Sequence, residues 1–443
     1  MATVTMSTTS EPTAAELIAG RPHLSMHAMD GLVMDGVPLN LVADRVGTPV
    51  WVYSAVALRR RYRMLADALS QAGLDADIHY AMKANDRLAV LRLLSREGAG
   101  ADVVSEGELR RAREAGIPAN RIVYSGVGKS ERELRLAVAE DIAQINVESA
   151  EELQMLSGIA AAAGRLARVA LRVNPDVDAG THAKITTGLA QNKFGVAFDE
   201  GIALYRHAAS LPGVEPVGLA VHIGSQVLSL APYRAAYGRL AEMVRGLREQ
   251  GLTVRGVDCG GGLGIPYRDE PAPLPGALAG AIRGAFHNLD VRIAIEPGRW
   301  LVGPAGVLLS SVILVKQAGG SRFVVLDAAM NDLIRPAMYD AWHGIVAVSA
   351  VDAVAPTEPA DVVGPVCETG DTFARQRLLP PLAAGARVAI LDAGAYGAVM
   401  SSAYNSRPPA AEVMVDGDSW SVIRARPSHA DLWQGESMPH WLQ

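Results

Sequence analysis

The stretch Asp77-Ile-His-Tyr-Ala-Met-Lys-Ala-Asn-Asp86 determines how the rest of the chain is interpreted. Its apolar residues predict a strand, and the strand ends at a lysine, Lys83. A lysine at the C-terminal end of a buried strand is desolvated, which favours the neutral amine and makes it a nucleophile toward carbonyl groups. A lysine that extends its ammonium group into solvent is the commoner arrangement. The residues elsewhere in the chain decide between these two interpretations.

From Ser54 to about residue 300, predicted strands alternate with predicted helices. Capping boxes, with serine and glutamate three residues apart, mark the start of three helices: Ser105 with Glu108, Ser130 with Glu133 and Ser149 with Glu152. The predicted strands are residues 77–82, 101–104, 121–125, 142–147, 168–173, 216–222, 254–259 and 291–295. Eight strands, most followed by a helix, predict a parallel sheet closed into a (β/α)8 TIM-type barrel, with an open doubly wound sheet as the alternative.

After Gly306 the helical periodicity fades and short strands with Gly, Pro and Asp between them take over. These predicted strands are residues 307–315, 322–326, 362–366, 387–391, 412–415 and 419–423. They indicate a second, all-β domain, a sandwich or barrel, completed by N-terminal strands around residues 30–52. We therefore divide the chain into a mobile tail (1–22), a barrel (53–300) and a discontinuous β domain (23–52 plus 301–443).

Composition excludes several classes of protein. The 443 residues carry a net charge of −6, which argues against a nucleic-acid or anionic-membrane surface. The most apolar window, residues 302–315, is too short and too often broken by Gly, Pro and Ser to span a bilayer, and no secretory signal is visible. Two distant cysteines, Cys259 and Cys367, form neither a disulfide framework nor a zinc motif. We expect a cytoplasmic protein without a metal.

Polar and glycine residues collect at the C-terminal ends of the predicted barrel strands, where such barrels place their active sites. They are Lys83, Asp102, Ser105, Arg172, Asn174, His222 to Gln226, Gly260 to Gly264, and Glu296 to Arg299. Glycines after strands seven and eight favour phosphate binding through backbone N–H groups over a plain turn. His222 is either a structural histidine or a ring that stacks on an aromatic ligand. Glu296 ends an apolar strand and needs a cation, such as a protonated pyridine nitrogen. Together with a nucleophilic lysine, these features describe a site for pyridoxal 5′-phosphate.

The β domain and one long loop add further candidates. Cys367 and Glu368 lie between glycines, where the thiol is either exposed enough to exchange protons or buried. Arg299 and Arg335 suit a substrate carboxylate through forked hydrogen bonds, with a surface ion pair as the alternative. The polar loop at 174–198 has the length typical of a lid or binding loop.

The chain resembles the fold-type III, pyridoxal-phosphate-dependent amino-acid decarboxylases, and among them those that act on diaminopimelate, over residues 25–425. The resemblance lies in these motifs: His79-Tyr-Ala-Met-Lys-Ala-Asn85, Gly100-Ala-Asp-Val-Val-Ser105, Thr187-Gly-Leu, Asn192-Lys-Phe-Gly195, His222-Ile-Gly-Ser-Gln226, Gly260-Gly-Gly-Leu-Gly264, Glu296-Pro-Gly-Arg299, Met330-Asn-Asp-Leu-Ile-Arg-Pro-Ala-Met-Tyr339, Cys367-Glu368 and Tyr404-Asn-Ser-Arg407.

The resemblance implies a role for each matching residue. Lys83 would carry the cofactor covalently, His222 would stack on its ring and Glu296 would pair with its pyridine nitrogen. Asp102 and Arg172 would flank the ring, and the phosphate would be held by Ser225, Gly260, Gly261, Gly262, Gly298, Arg299 and Tyr396. Cys367, supplied by the partner subunit of a homodimer, would protonate the carbanion. The substrate would be bound by Arg299, Arg335, Tyr339, Glu368 and Tyr396.

Two sequence differences narrow the expected reaction. Asn85-Asp-Arg-Leu88 stands where alanine racemases of this fold have a Tyr-Gly-His-Gly type run, and Glu368 stands where ornithine-type decarboxylases have Asp. Glutamate with nearby arginines suits a substrate with a second carboxylate. The resemblance thus implies decarboxylation of meso-2,6-diaminopimelate to L-lysine and CO2, the last step of lysine biosynthesis. A decarboxylase of D-ornithine or another carboxylated diamine, and a non-catalytic homologue that binds the cofactor, are the alternatives.

Overall fold

The computed structural model of the protein describes residues 11–180, 182, 187–188 and 192–442. Eight parallel strands close into a barrel, because the eighth pairs with the first and the fourth with the fifth. In chain order they are Ala76–Ala81, Gly100–Val103, Ile122–Tyr124, Gln144–Val147, Ala167–Asn174, Val214–Ala220, Gly256–Asp258 and Arg292–Ile295. The predicted barrel is confirmed, and the ends of its strands differ from the predicted ends by at most two residues. A short strand, Val196–Ala197, pairs with the end of the fifth.

The helices around the barrel are Ala55–Gln71, Leu88–Glu97, Glu106–Glu114, Glu131–Glu140, Ala150–Ala162, Phe198–Ser210, Ala231–Glu249 and Pro275–Phe286. Helix Ala55–Gln71 precedes the first strand and closes the ring by contacting both Pro275–Phe286 and Leu88–Glu97. Of the three predicted capping boxes, only that of Ser130 and Glu133 is reciprocal. The carboxylates of Glu108 and Glu152 instead accept from the N–H groups of Val104 and Glu148, one residue before each cap.

A second sheet has the strand order Thr372–Leu379, Glu358–Val363, Ser321–Leu326, Gly306–Ala318, Val50–Ser54, Ala411–Asp416 and Ser419–Arg424. Strand Arg387–Ile390 pairs with both Gly306–Ala318 and Ile345–Ala347. Strand Val50–Ser54 is antiparallel to Gly306–Ala318 and parallel to Ala411–Asp416, so this sheet includes residues from both ends of the chain. Short helices Arg299–Val302, Arg335–Tyr339 and Ala350–Ala353 lie around it.

Both faces of this second sheet are covered. Along Val50–Ser54, Trp51 and Tyr53 pack into one apolar cluster, whereas Val50 and Val52 pack into another. Alternate side chains of a strand point to opposite faces, so the strand lies between two cores. This position explains why its sequence is apolar at nearly every residue.

Several predictions about the N-terminal region are wrong. The expected tail contains a helix, Ala14–Ala19, with a capping box at Thr13 and with Leu17 and Ile18 buried; residues 1–10 lie outside the described part. The expected strands at 30–52 include a helix, Leu39–Val46. Only two residues of the first helix and three of the second are buried, which is too few for the helical period to stand out. Strands Leu24–His27, Gly31–Met34 and Val37–Pro38 form a separate small sheet.

The predicted strand at 362–366 is also displaced, since the observed strand ends at Val363. The residues after it turn around Asp371, whose carboxylate accepts from the N–H groups of Val366 and Met330 at 2.7 Å each. Among the described residues, no helix is long and apolar enough to cross a membrane. No group of three or more His, Cys, Asp or Glu in that part of the chain is placed to hold a metal ion.

Candidate active site

A cavity of about 680 Å³ lies at the C-terminal ends of the barrel strands and is bounded on one side by residues of the second sheet region. Nine of the predicted site residues line it: Lys83, Arg172, His222, Ser225, Glu296, Arg299, Arg335, Tyr339 and Tyr396. They come from positions more than 300 residues apart in the sequence. Six of the nine lie at or follow the ends of barrel strands, whereas Arg335, Tyr339 and Tyr396 come from the second sheet region. The structure thus brings side chains from both parts of the chain to one cavity, and their roles stay predictions.

Lys83 lies on a short 3-10 turn, Met82–Ala84, directly after the first strand. Its Nζ is 3.3 Å from Oδ2 of Asp102, which is fully buried behind it. Desolvation lowers the pKa of Lys83, but the charges of Asp102, Tyr396 and Glu296 outweigh it and raise that pKa above its ordinary value. The expected neutral amine is therefore wrong for the protein alone, because burial brings carboxylates as well as low polarity.

Tyr396 connects the second sheet region to the lysine turn. Its N–H donates to the carbonyl oxygen of Ala84 at 2.8 Å, and its backbone lies in the left-handed region with φ of 55°. Asn85 Nδ2 donates to the carbonyl oxygen of Gly394 at 3.2 Å. A non-glycine residue at positive φ is held there only by its surroundings, and such strain is concentrated at functional sites.

Glu296 ends the eighth strand and is buried, as expected. Its Oε1 accepts from Ser125 Oγ at 3.3 Å and from Asn146 Nδ2 at 3.2 Å. Desolvation and the nearby carboxylates of Asp102 and Asp258 raise its pKa well above the ordinary value. No cation among the described residues lies within ion-pair distance of it. The sequence analysis missed Ser125 and Asn146, although both lie at the ends of barrel strands.

His222 follows the sixth strand and presents a neutral ring. Its Nδ1 accepts from the N–H of Gly261 at 3.2 Å, so the ring proton is on Nε2. Desolvation, with the charges of Lys83 and Arg172, lowers its pKa well below the ordinary value. A flat, uncharged imidazole at the cavity wall can stack on an aromatic ligand.

The predicted glycines are required for close packing between loops. A Cβ at Gly260 would meet the carbonyl oxygen of Val221, and a Cβ at Gly261 would meet that of Glu296. Their N–H groups already donate to Asp258 Oδ1 and His222 Nδ1, at 2.9 and 3.2 Å, so these two groups are not available for a phosphate. Phosphate contacts of Gly262 and Gly298 remain predictions, and neither residue lines the cavity.

Arg172 is held by a carboxylate that the sequence analysis did not single out. Its Nη1 donates to Oε1 of Glu148 at 2.8 Å, and Glu148 also accepts from the N–H groups of Gly126 and Gly195, both at 3.0 Å. Phe194 lines the cavity, with its ring centre 5.0 Å from the Arg172 guanidinium carbon. The end of the predicted binding loop therefore faces the cavity, whereas residues 181, 183–186 and 189–191 of that loop lie outside the described part.

Two buried arginines form the far wall of the cavity. Arg299 donates from Nη1 to the Tyr267 hydroxyl at 2.6 Å and from Nη2 to Ser225 Oγ at 3.0 Å. Arg335 donates from Nη1 to His343 Nε2 at 2.8 Å. The side chains are only 6% and 5% exposed, and neither has a carboxylate partner within the described residues. Sequence reasoning missed Tyr267 and His343, whose only sequence signal is their nearness to the glycine run and to Arg335.

Cys367 and Glu368 do not join the cavity of their own chain. Both are exposed, and neither lines the cavity. The N–H of Cys367 donates to Oδ1 of Asn405 at 3.3 Å. Cys259, by contrast, is buried.

Comparison with known proteins adds independent information. A family model for the pyridoxal binding domain of pyridoxal-dependent decarboxylases matches residues 56–303. Diaminopimelate decarboxylase from Zymomonas mobilis is 48% identical over 414 residues, covering 93% of this chain and 98% of that protein. The enzyme of the same name from Pseudomonas aeruginosa is 48% identical over 407 residues, covering 92% and 97%.

Solved structures agree with these sequence matches. The crystal structure of diaminopimelate decarboxylase from Helicobacter pylori complexed with L-lysine has a TM-score of 0.86 at 40% identity, covering 89% of this chain and 98% of that one. The M. jannaschii enzyme in co-complex with L-lysine has a TM-score of 0.90 at 35% identity, covering 96% and 100%. The resemblance inferred from motifs is thus confirmed over nearly the whole chain.

Proposed function

We propose that this protein converts meso-2,6-diaminopimelate to L-lysine and CO2, because the chain belongs to the diaminopimelate decarboxylase family of pyridoxal-dependent decarboxylases. The observation that carries this choice of substrate is the pair Arg299 and Arg335, buried in the cavity without a carboxylate partner among the described residues. Uncompensated buried charges are strongly unfavourable, so the site is suited to an anion from outside the chain. A substrate that keeps a second carboxylate after losing the first supplies it.

The residues present fit pyridoxal 5′-phosphate. Glu296 is a buried carboxyl group without a cation, which a protonated pyridine nitrogen would supply, and His222 offers a neutral face for the ring. Lys83 would hold the cofactor covalently, with Asp102 and Arg172 beside the ring. Ser225, Arg299, Tyr396, Gly262 and Gly298 would bind the phosphate. When bound, the cofactor supplies the electron sink that accepts the electron pair left by departing CO2.

The remaining steps belong to side chains of the protein. Lys83 must lose a proton before its amine can attack a carbonyl carbon, and Asp102 Oδ2, 3.3 Å away, can accept it. Glu296 would keep the pyridine nitrogen protonated. The distal end of the substrate would be fixed by Arg299, Arg335, Tyr339 and Tyr396. Only the carboxylate on the D-configured carbon would then lie at the reacting position.

Proton delivery after CO2 leaves is proposed for Cys367 of a second copy, with Glu368 of that copy near the distal amino group. What supports this is the exposure of both residues outside their own cavity. The enzyme would then be a homodimer with sites shared across the interface. A cytoplasmic location, suited to free cysteines, stays a prediction.

The test is direct. Purified protein loaded with pyridoxal 5′-phosphate is incubated with meso-diaminopimelate, and L-lysine and CO2 are measured. Lys83→Ala is the inactive control, and Lys316→Ala, at an exposed position of strand Gly306–Ala318, is the matched active one. The proposal expects equal amounts of both products. D-Ornithine, L-ornithine and L-lysine are supplied in parallel. Faster turnover of any of these three would replace the proposed substrate, and no turnover by fully loaded protein would reject the proposal.

A further inference from the structure

Two neutral side chains contact the two cavity arginines: Tyr267, which also lines the cavity, and His343, which is buried beside it. The Tyr267 hydroxyl accepts from Arg299, and its ring centre is 4.8 Å from the guanidinium carbon of Arg335. His343 meets the Tyr267 ring edge-on, at 5.2 Å between ring centres and an angle of 79°. One phenol therefore contacts both guanidinium groups and the imidazole.

His343 is fixed by its own hydrogen bonds. Nε2 accepts from Arg335, so the ring proton is on Nδ1, which donates to the carbonyl oxygen of Leu391 at 2.8 Å. The side chain is 1% exposed, and burial together with the charge of Arg335 lowers its pKa well below the ordinary value. At neutral pH it is therefore a neutral acceptor.

Neutral acceptors at these two places have a consequence for specificity. Two nearby guanidinium groups repel each other, and long side chains with that charge turn toward solvent unless something holds them. Asp or Glu in place of Tyr267 or His343 would hold them equally well but would cancel their charge. The Tyr267 hydroxyl occupies one N–H donor of Arg299, and the His343 imidazole occupies one N–H donor of Arg335. The Nε of Arg299 has no partner among the described residues.

We propose that Tyr267 and His343 are positioning residues that fix Arg299 and Arg335 without neutralising them, and thereby make the enzyme specific for ligands with a distal carboxylate. This inference rests on the proposed function, which assigns the two arginines to that carboxylate. It predicts a loss of affinity only for ligands that carry the group.

The experiment compares two ligands of equal length on the protein loaded with pyridoxal 5′-phosphate. L-Lysine carries the distal carboxylate and 1,5-diaminopentane lacks it; binding is followed by the absorbance of the bound cofactor. Tyr267→Phe removes one oxygen atom, His343→Leu removes the acceptor for Arg335, and His343→Gln restores an acceptor. Tyr205→Phe is the matched control, since that buried hydroxyl donates to the carbonyl oxygen of Thr253 far from the cavity, at 2.7 Å.

For Tyr267→Phe and His343→Leu we expect the Kd for L-lysine and the KM for meso-diaminopimelate to rise about 10- to 100-fold, the effect of losing a hydrogen bond to a charged group. The Kd for 1,5-diaminopentane and kcat, both measured on fully loaded protein, should change by less than about threefold. His343→Gln should recover part of the loss, and Tyr205→Phe should show none.

Equal weakening of both ligands, or unchanged L-lysine binding in Tyr267→Phe, would overturn the inference. If His343→Leu does not fold, Tyr267→Phe decides alone. Wild-type protein that makes no L-lysine rejects the proposed function instead, and the titrations of the variants still decide the inference because they need no turnover.

Discussion

At the scale of single residues, the half-buried Lys83 shows how neighbours decide the charge of a group at a strand end. Desolvation alone would make it a neutral nucleophile, but Asp102 at 3.3 Å and the more distant Glu296 keep the proton on its amine in the protein without cofactor. Sequence patterns give the burial of a strand end correctly. They do not give the distance between side chains on two adjacent strands, and that distance determines the sign of the pKa shift.

The Asp102→Asn variant should shift covalent cofactor attachment to lower pH. Removing the carboxylate leaves desolvation unopposed by its main competitor, so the pKa of Lys83 should fall by about 1 to 3 units. The rate at which the absorbance of attached cofactor appears is measured on apoenzyme between pH 6 and 10. Asp77→Asn, near the start of the strand that leads to Lys83 and thus at the opposite end of the barrel, is the control. An unchanged pH profile would assign the high pKa to Glu296 instead.

At the scale of elements, Glu148 connects its own loop, after the fourth strand, to two other loops and to the fifth strand. It accepts hydrogen bonds from the loop after the third strand, from Arg172 on the fifth strand, and from Gly195 at the end of the cavity-facing loop. In Glu148→Gln, an NH2 group replaces one of the two acceptor oxygens of the carboxylate, and Arg172 loses its counter-charge. We expect the free energy of unfolding to fall by about 3–5 kcal/mol, the cost of breaking a buried ion pair.

Denaturant unfolding and limited proteolysis test the effect of this variant. Cleavage should increase at residues 192–198 if Gly195 is released. Glu133→Ala, which removes the carboxylate that accepts from the N–H and Oγ of Ser130 at a helix start, should lower stability without exposing the loop. Equal cleavage of the two variants would show that Glu148 does not hold the loop.

The N-terminal segment is an element whose stability should depend on pH. Burial, with the charges of Arg21 and Arg61, lowers the pKa of His23 from 6.5 to about 4. The folded protein thus prefers neutral His23, so its contribution to stability is complete above pH 6.5 and is lost as the pH falls toward 4. Between pH 7.5 and 4.5 this should cost wild type about 2–3 kcal/mol more than His23→Gln in denaturant unfolding. Equal losses in the two proteins would contradict the assignment.

At the scale of the whole molecule, the sequence predicted the barrel well because eight strands repeat one local pattern. Six of the nine predicted cavity residues lie at or follow the ends of barrel strands, because parallel strands end at one face, and the other three came from motifs in the second sheet region. Ser125 and Asn146 were missed because nothing local marks them as partners of Glu296. Tyr267, His343 and Glu148 were missed because they act through contacts between segments distant in sequence. The buried pair of Arg21 with Asp392, which ties the N-terminal segment to the turn before Tyr396, was missed for the same reason. Local patterns identify strand ends, whereas only packing identifies the residues that support them.

If each active site is shared between two subunits, two inactive variants should complement each other. Lys83→Ala and Cys367→Ala homodimers should both be inactive if each site takes Lys83 from one subunit and Cys367 from the other. When the two variants are unfolded together and refolded at equal concentrations, half of the dimers should be mixed, and each mixed dimer has one site with both residues intact. Activity should therefore return to about a quarter of the wild-type value. Refolding each variant alone is the control. A site that took both residues from one chain would stay inactive in every mixture, because each chain lacks one of them.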